Sequence, residues 1–290
     1  MIIVFDLLRH PRLPAVARTA CVSALAVFTF TAFAQYRQTG PVVDERIILD
    51  YTQNEATGEA TVVSPEMPDF ESLGDVDTRK EAFFEFLSSY VENENRSIAA
   101  TRAELMPMWE VVRDGMPLSA VEQERFAEIA AEYRLDGADL STAEGRLNVG
   151  RELVRRVDVL PESLVLAQAA NESGWGTSRF AREGNNIFGQ WCFDEGCGLI
   201  PKRRGESRSH EVRAFASVQA SVRAYYRNLN THRSYEDLRV LREAMRMRDM
   251  PLDSLVLARG LTRYSERGQA YVSELQDIIR INQLRHRDKS

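Results

Sequence analysis

Glu172 is followed at once by Ser173-Gly174-Trp175-Gly176, inside the stretch AANESGWGTSRFAREGNNIFGQWC that spans residues 169–192. A carboxylate in that setting points to acid–base chemistry. The preceding PESLVLAQAANES reads as a helix: Pro161 suits its first turn, Leu164, Val165, Leu166 and Ala167 form an apolar body, and Gly174 suits its C-terminal stop. Glu172 then falls in the last turn, where backbone carbonyls present the negative end of the helix dipole. Apolar neighbours such as Trp175 and Phe188 add desolvation, and both effects raise a carboxyl pKa. A proton retained near neutral pH is what general-acid cleavage of an ether-like bond requires. The plainer alternative is a surface glutamate at a helix end.

The elements that must position Glu172 are mostly helical. TRKEAFFEFLSSYVENENRSI sets Phe83, Phe84, Leu87 and Val91 on one face, and Thr78 with Glu81 has the spacing of a capping box. Further helices are expected at about 98–113, 119–133, 141–156, 217–229, 234–248, 253–260 and 268–284. Residues 185–215 lose the helical period, and GLIPKRRGESRSHEVRAF reads as a β-hairpin about a Gly-Glu-Ser-Arg-Ser turn.

LVLAQAANESGWGTSRFAREGNNIFGQWCFDEGCGLIP resembles the glucosaminidase domain of glycoside hydrolase family 73 and, within that family, Bax-type proteins of Gram-negative bacteria. HEVRAF, YYRNLNTH, KEAFFEFL and LVRRVDVLPESLV carry the likeness over roughly residues 78–285. The resemblance implies a mainly α (α+β), lysozyme-like helical domain with a small β-hairpin at the cleft. It also implies hydrolysis of β-1,4 bonds after N-acetylglucosamine in peptidoglycan or related glycans, without metal or cofactor. Carried over residue by residue, Glu172 matches the general acid and Trp175 the family's turn, as core or as ligand-facing platform. Asn185, Asn186, Phe188 and Gln190 match its cleft-forming segment, where an amide can bond an acetamido group or simply build the turn. Trp191 could stack on a sugar or pack under the neighbouring cysteines. Tyr264 and Tyr271 match the family's two late tyrosines, Tyr271 as a candidate for stabilising the transition state; buried, hydrogen-bonded core positions are the alternative.

Glycoside hydrolysis usually uses a second carboxylate. The family places one on the outgoing hairpin strand, which here reads GLIPKRR and holds no acid. Glu211, at the start of the return strand, is the preferred candidate. Glu206 in the turn and Asp194 and Glu195 nearby are weaker ones. With none in reach, the substrate's own N-acetyl group would be the nucleophile. Two other functions stay open: a lytic transglycosylase and a non-catalytic peptidoglycan-binding domain. Lys202, Arg203, Arg204, Arg208 and Arg213 make the hairpin basic, which suits peptide-stem carboxylates or a solvated strand face.

The chain has 290 residues, 44% hydrophobic and 28% charged, the composition of a globular protein. Arg9, Arg12 and Arg18 precede the uncharged run Thr19–Ala34, which ends in Ala32-Phe33-Ala34. That pattern reads as a secretory signal, with an uncleaved membrane anchor as the alternative. The expected organisation is residues 1–34 as signal or anchor, 35–77 as an extended arm and 78–290 as the glucosaminidase domain. The expected location is periplasmic and the expected state a monomer. Without residues 1–34 the net charge moves from −6 to −8, against general nucleic-acid binding. Cys192 and Cys197 then remain as a C-x4-C pair, which in an exported protein reads as a disulfide; zinc would need two more ligands at familiar spacing. The scattered histidines argue against a metallohydrolase, and no G-x-S-x-G element is present.

Overall fold

A computed structural model describes residues 67–201 and 211–288. The signal or anchor at 1–34 and most of the arm lie outside the described residues. The arm's last part does not: Phe70, in a 3-10 turn at Phe70–Ser72, is 1% exposed and meets the rings of Phe83 and Phe86 edge-on. The folded unit therefore takes in sequence before the expected boundary at 78.

Helix α1 runs from Val76 to Arg113 without a break. It joins two expected helices, since no glycine or proline separates Thr78 from Ile98. Its cap is not the expected Thr78–Glu81 box. The Asp75 side chain accepts from the backbone N–H groups of Asp77 and Thr78, both at 2.9 Å, so Thr78 already lies inside the helix. A reciprocal capping box does form at Ser119 and Glu122, starting α2 (Ala120–Glu132). Thr142 caps α3 (Ala143–Arg156).

Helix α4, Glu162–Ser173, is the hub. Ser163 and every residue from Leu164 to Ala170 are fully buried, as a helix apolar on all sides must be. It packs against α1, α8 (Ser254–Leu257), α9 (Gln269–Ile281) and the 3-10 turn Leu284–Arg287. Pro161 gives α4 no side-chain cap. Asp288 supplies one from afar, accepting from Ser163 N at 2.9 Å and Ser163 Oγ at 2.7 Å.

The connection from α3 into α4 is fixed by buried charge. Asp158, 2% exposed, receives two hydrogen bonds from Arg246, at 2.9 and 3.1 Å, and lies 3.8 Å from both Arg102 and Arg242. The Arg242 guanidinium, 1% exposed, donates to the carbonyls of Arg155, Asp158 and Val159, satisfying acceptors left over at the end of α3. Arg242 and Arg246 stand on α7 (Glu236–Arg246), which follows α6 (Val218–Thr231).

Between α4 and α6 lie a short helix, α5 (Arg179–Gly184), and three strands: β1 (Trp191–Cys192), β2 (Gly198–Leu199) and β3 (Glu211–Arg213). The sheet is antiparallel with order β1-β3-β2. Leu199 pairs with Val212 in the expected hairpin, and Trp191 pairs with the same Val212 from the other side. The hairpin turn, with Lys202, Arg203, Arg204, Glu206 and Arg208, lies outside the described residues. The fold class is the expected one, mainly α with one small antiparallel sheet. Among the described residues no helix is long and apolar enough to cross a membrane.

Candidate active site

Glu172 is the second-last residue of α4 and is half-buried. Directly after it the chain takes three successive left-handed residues, Gly174 (φ 59°), Trp175 (φ 61°) and Gly176 (φ 76°). Ser173 holds this turn: its Oγ donates to Ala169 O at 2.6 Å and accepts from Gly176 N at 2.8 Å. Gly176 is required by contact as well as by φ, because a Cβ there would lie 2.5 Å from Phe70 Cδ2. For Trp175 the left-handed backbone costs about 1–2 kcal/mol. Its indole stands edge-on to Phe83 and Phe84 of α1, at 6.1 and 5.3 Å, and Lys80 Nζ sits 5.4 Å over the ring. Of the two roles expected for Trp175, these contacts are those of packing.

The segment after α5 forms a wall beside Glu172. Asn185 ends the helix in the left-handed region and donates to Phe215 O at 3.0 Å. Asn186, 1% exposed, donates to Gln190 O and Arg213 O and accepts from Gln190 N, so its amide is consumed by the turn. Of the two roles open to Asn186, these bonds are those of building the turn. Gln190 donates to Ser221 O at 3.2 Å. Phe188, 2% exposed, stacks on Tyr225 with centroids 3.9 Å apart, a core contact rather than a sugar-facing one. Gly189 (φ 63°) brings backbone over the acid: its nearest neighbour to an added Cβ is Glu172 Oε2, at 3.5 Å.

The other side is a shell of tyrosines. Tyr271, at the start of α9, faces Glu172: its hydroxyl pulls the carboxyl pKa down, and the acid pushes the phenol up. Its hydroxyl accepts from Gln168 Nε2 at 2.9 Å, and Gln168 Oε1 accepts from the Tyr225 hydroxyl at 2.5 Å. Tyr264 stacks parallel on Tyr271, 5.5 Å between centroids, and donates to Phe188 O at 3.1 Å. Tyr235 leans on Tyr264 at 5.7 Å. Arg267 sits 5.9 Å over the Tyr271 ring and is ion-paired with Glu274.

Burial pushes the Glu172 carboxyl above its ordinary value, against the opposing pull of the Tyr271 hydroxyl and the Arg267 charge. Of the apolar neighbours expected from the sequence, Trp175 packs on Phe83 and Phe84, and Phe188 on Tyr225. Burial likewise lifts the phenols of Tyr225, Tyr264 and Tyr271 far above their ordinary range, and the nearby Glu172 charge adds to it. Such a site can hold a proton on a carboxyl and release it to a bound acceptor. Sequence reasoning found Tyr264 and Tyr271 but missed Gln168, Tyr225, Tyr235 and Arg267. The one available signal was the four-residue spacing of Gln168 and Glu172, which puts both on one face of α4.

Glu211, the preferred second acid, is held by backbone of the disulfide loop. It is 5% exposed, and its two carboxylate oxygens accept from the backbone N–H groups of Gly196 (3.1 Å) and Gly198 (2.8 Å). It caps the loop that the Cys192–Cys197 disulfide closes, and it is not among the groups acting on Glu172. The two sulfurs and Glu211 lie within 4.8 Å of one another, but bonded sulfurs offer no thiolate to a metal. Trp191 is 56% exposed on β1, and Asp194 and Glu195 are exposed in the disulfide loop.

The family model for glucosaminidase, described as mannosyl-glycoprotein endo-beta-N-acetylglucosaminidase, matches residues 148–284. That range takes in Glu172, the wall, the sheet and the tyrosine shell. Protein bax of Escherichia coli (strain K12) is 32% identical over 236 residues, which cover 81% of this chain and 78% of that protein. A fainter likeness, at a TM-score of 0.40 and 16% identity, joins 75% of the chain to 92% of the catalytic domain of the autolysin Auto from Listeria monocytogenes. With the family model matched across its site and 32% identity to such a relative over most of both lengths, the chain belongs to the glucosaminidase family, in its Bax-like branch.

Proposed function

We propose that this protein is an exported endo-β-N-acetylglucosaminidase. It cleaves β-1,4 bonds of N-acetylglucosamine in peptidoglycan or a related glycan, with Glu172 as general acid. Glu172 itself carries the reading: a carboxyl at a helix end, held protonated upward of its usual range by burial, under Gly189 and against Tyr271. Its proton passes to the glycosidic oxygen as the bond to C1 breaks and positive charge grows on the sugar ring. The Tyr271 hydroxyl then has a carboxylate to donate to, which steadies the acid after it has lost its proton. The same carboxylate takes a proton from the water that completes hydrolysis.

Glu211, the preferred second acid, is engaged by the N–H groups of Gly196 and Gly198 and caps the disulfide loop. This favours the acetamido oxygen of the substrate as the internal nucleophile at C1, opened afterwards by water. It also favours, as a second reading, a domain that binds peptidoglycan without cleaving it. Location in the periplasm is supported by the basic-then-apolar pattern of residues 1–34 and by the Cys192–Cys197 disulfide, which suits an oxidising compartment. Residues 1–34 serve there as a cleaved signal or a retained anchor, and the protein acts as a monomer.

The test is digestion of purified peptidoglycan by the full chain and by Glu172→Gln, with the new chain ends identified by mass spectrometry. Reducing N-acetylglucosamine ends are expected from the unaltered protein alone. Equal products from both proteins would remove Glu172 from the chemistry. Ends of the 1,6-anhydro type would mean a lytic transglycosylase, and retention on peptidoglycan without new ends would mean a binding domain.

A further inference from the structure

Tyr225, Gln168 and Tyr271 form a directed hydrogen-bonded chain that ends beside Glu172, and its middle member is a neutral side chain. Gln168 is fully buried, one turn before Glu172 on α4. Its amide is held at both ends, with Oε1 accepting from Tyr225 on α6 and Nε2 donating to the Tyr271 oxygen on α9. An amide cannot exchange its two ends without breaking both bonds. With the Gln168 N–H occupying a lone pair of Tyr271, the single phenolic proton is left to point elsewhere.

We propose that Gln168 is a positioning residue: it fixes the Tyr271 hydroxyl as a donor aimed at Glu172, with Tyr225 anchoring the other end of the Gln168 amide. The proposal rests on the reading of Glu172 as the general acid. The opposite amide sense would turn the Tyr271 proton toward Gln168 and present its lone pairs to Glu172, favouring the protonated acid. The observed sense favours the carboxylate that remains after proton transfer, and a hydrogen bond received by Tyr271 strengthens the one it gives. Stacking of Tyr264 on Tyr271 and of Phe188 on Tyr225 holds both phenols in plane for this arrangement.

Gln168→Met keeps the volume of the side chain and removes both hydrogen bonds. Tyr271→Phe removes the donor itself. The full chain carrying each change, and both together, is assayed for release of reducing ends from purified peptidoglycan across pH. The Glu172 carboxyl is also titrated directly by carbon-13 NMR in the ligand-free proteins, its resonance assigned by its loss in Glu172→Gln.

Tyr271→Phe is expected to move the alkaline limb and the titration midpoint upward by about one pH unit, the worth of one hydrogen bond to a charged group. Gln168→Met is expected to move both upward by about half a unit, since it weakens that bond without deleting it. The double variant is expected to move no further than Tyr271→Phe alone, because one residue acts through the other. A purely packing role for Gln168 would lower thermal stability and leave the midpoint in place, and that result, or a downward shift, overturns the proposal. Full additivity overturns it too. If Gln168→Met does not fold, Tyr225→Phe decides: a smaller upward shift supports the relay and no shift refutes it. Should Glu172→Gln cleave as well as the unaltered protein, the reading of Glu172 fails. The NMR midpoints would still decide the role of Gln168.

Discussion

Replacing Gly176 by alanine puts a methyl group where Phe70 already stands. The added Cβ would lie 2.5 and 2.8 Å from two Phe70 ring carbons and 3.1 Å from Phe83 Cδ2, at a backbone φ of 76°. Gly174→Ala in the same turn is the matched control: φ is 59°, and the nearest atom is Thr177 Oγ1 at an ordinary 3.5 Å. Both variants pay about 1–2 kcal/mol for the left-handed alanine, partly offset by a stiffer unfolded chain. Only Gly176→Ala adds overpacking, about 1–3 kcal/mol in a core that cannot yield. At about 2–4 °C per kcal/mol for a domain of this size, Gly176→Ala should melt about 2–12 °C below Gly174→Ala. In a Phe70→Ala background most of that difference should go, because the ring struck hardest is gone and only the 3.1 Å contact with Phe83 is left. Thermal unfolding of the four proteins by circular dichroism measures this. Equal melting temperatures for the two single variants, or a difference undiminished by removal of Phe70, would refute the account of why this turn carries two glycines around Trp175.

Two more outcomes follow from charge. Glu172 has a carboxyl pKa raised by burial, so the folded state holds its proton more tightly than the unfolded chain. Its stability contribution is intact below the ordinary carboxylate value and is lost as pH rises through the raised one. Glu172→Gln should therefore melt higher than the unaltered protein at pH 8 and level with it near pH 4; a lower melting temperature at pH 8 would contradict this. At Asp158 burial alone would raise the pKa, but Arg242, Arg246 and Arg102 outweigh it and hold the carboxyl below its usual range. Asp158→Ala leaves the buried Arg242 uncompensated and should cost about 3–5 kcal/mol in urea unfolding. A loss under about 1 kcal/mol would mean the cluster is not the anchor described.

What the sequence disclosed depended on how local the physics was. The end of α4 was legible because Gly174 at a helix stop needs only its own φ, and the β2–β3 pairing because its two runs flank one turn. The disulfide was legible because its cysteines stand only five positions apart. Strand β1 was not, since two residues have no period, and its partner β3 lies beyond β2 in the chain. The capping box was misplaced because Thr78 and Glu81 fit the pattern as well as Asp75 fits the actual cap. The tyrosine shell was half legible. Tyr264 and Tyr271 came from the family likeness, while Tyr225, Tyr235 and Gln168 meet them only through the packing of α4, α6 and α9. Glu211 was chosen for being on a strand, and the same strand position delivers it to the glycine N–H groups of the disulfide loop.

The tyrosine shell makes the site electrically quiet. Tyr225, Tyr264 and Tyr271 would each have to become a phenolate in a dry pocket beside a carboxylate, so they stay neutral far into alkali. Four of the groups nearest the acid are thereby spectators in any titration, Gln168 because it has no proton to lose and the phenols because theirs is locked in. Among these groups only Glu172 is free to give up its proton, and an alkaline limb should have the slope of a single ionisation.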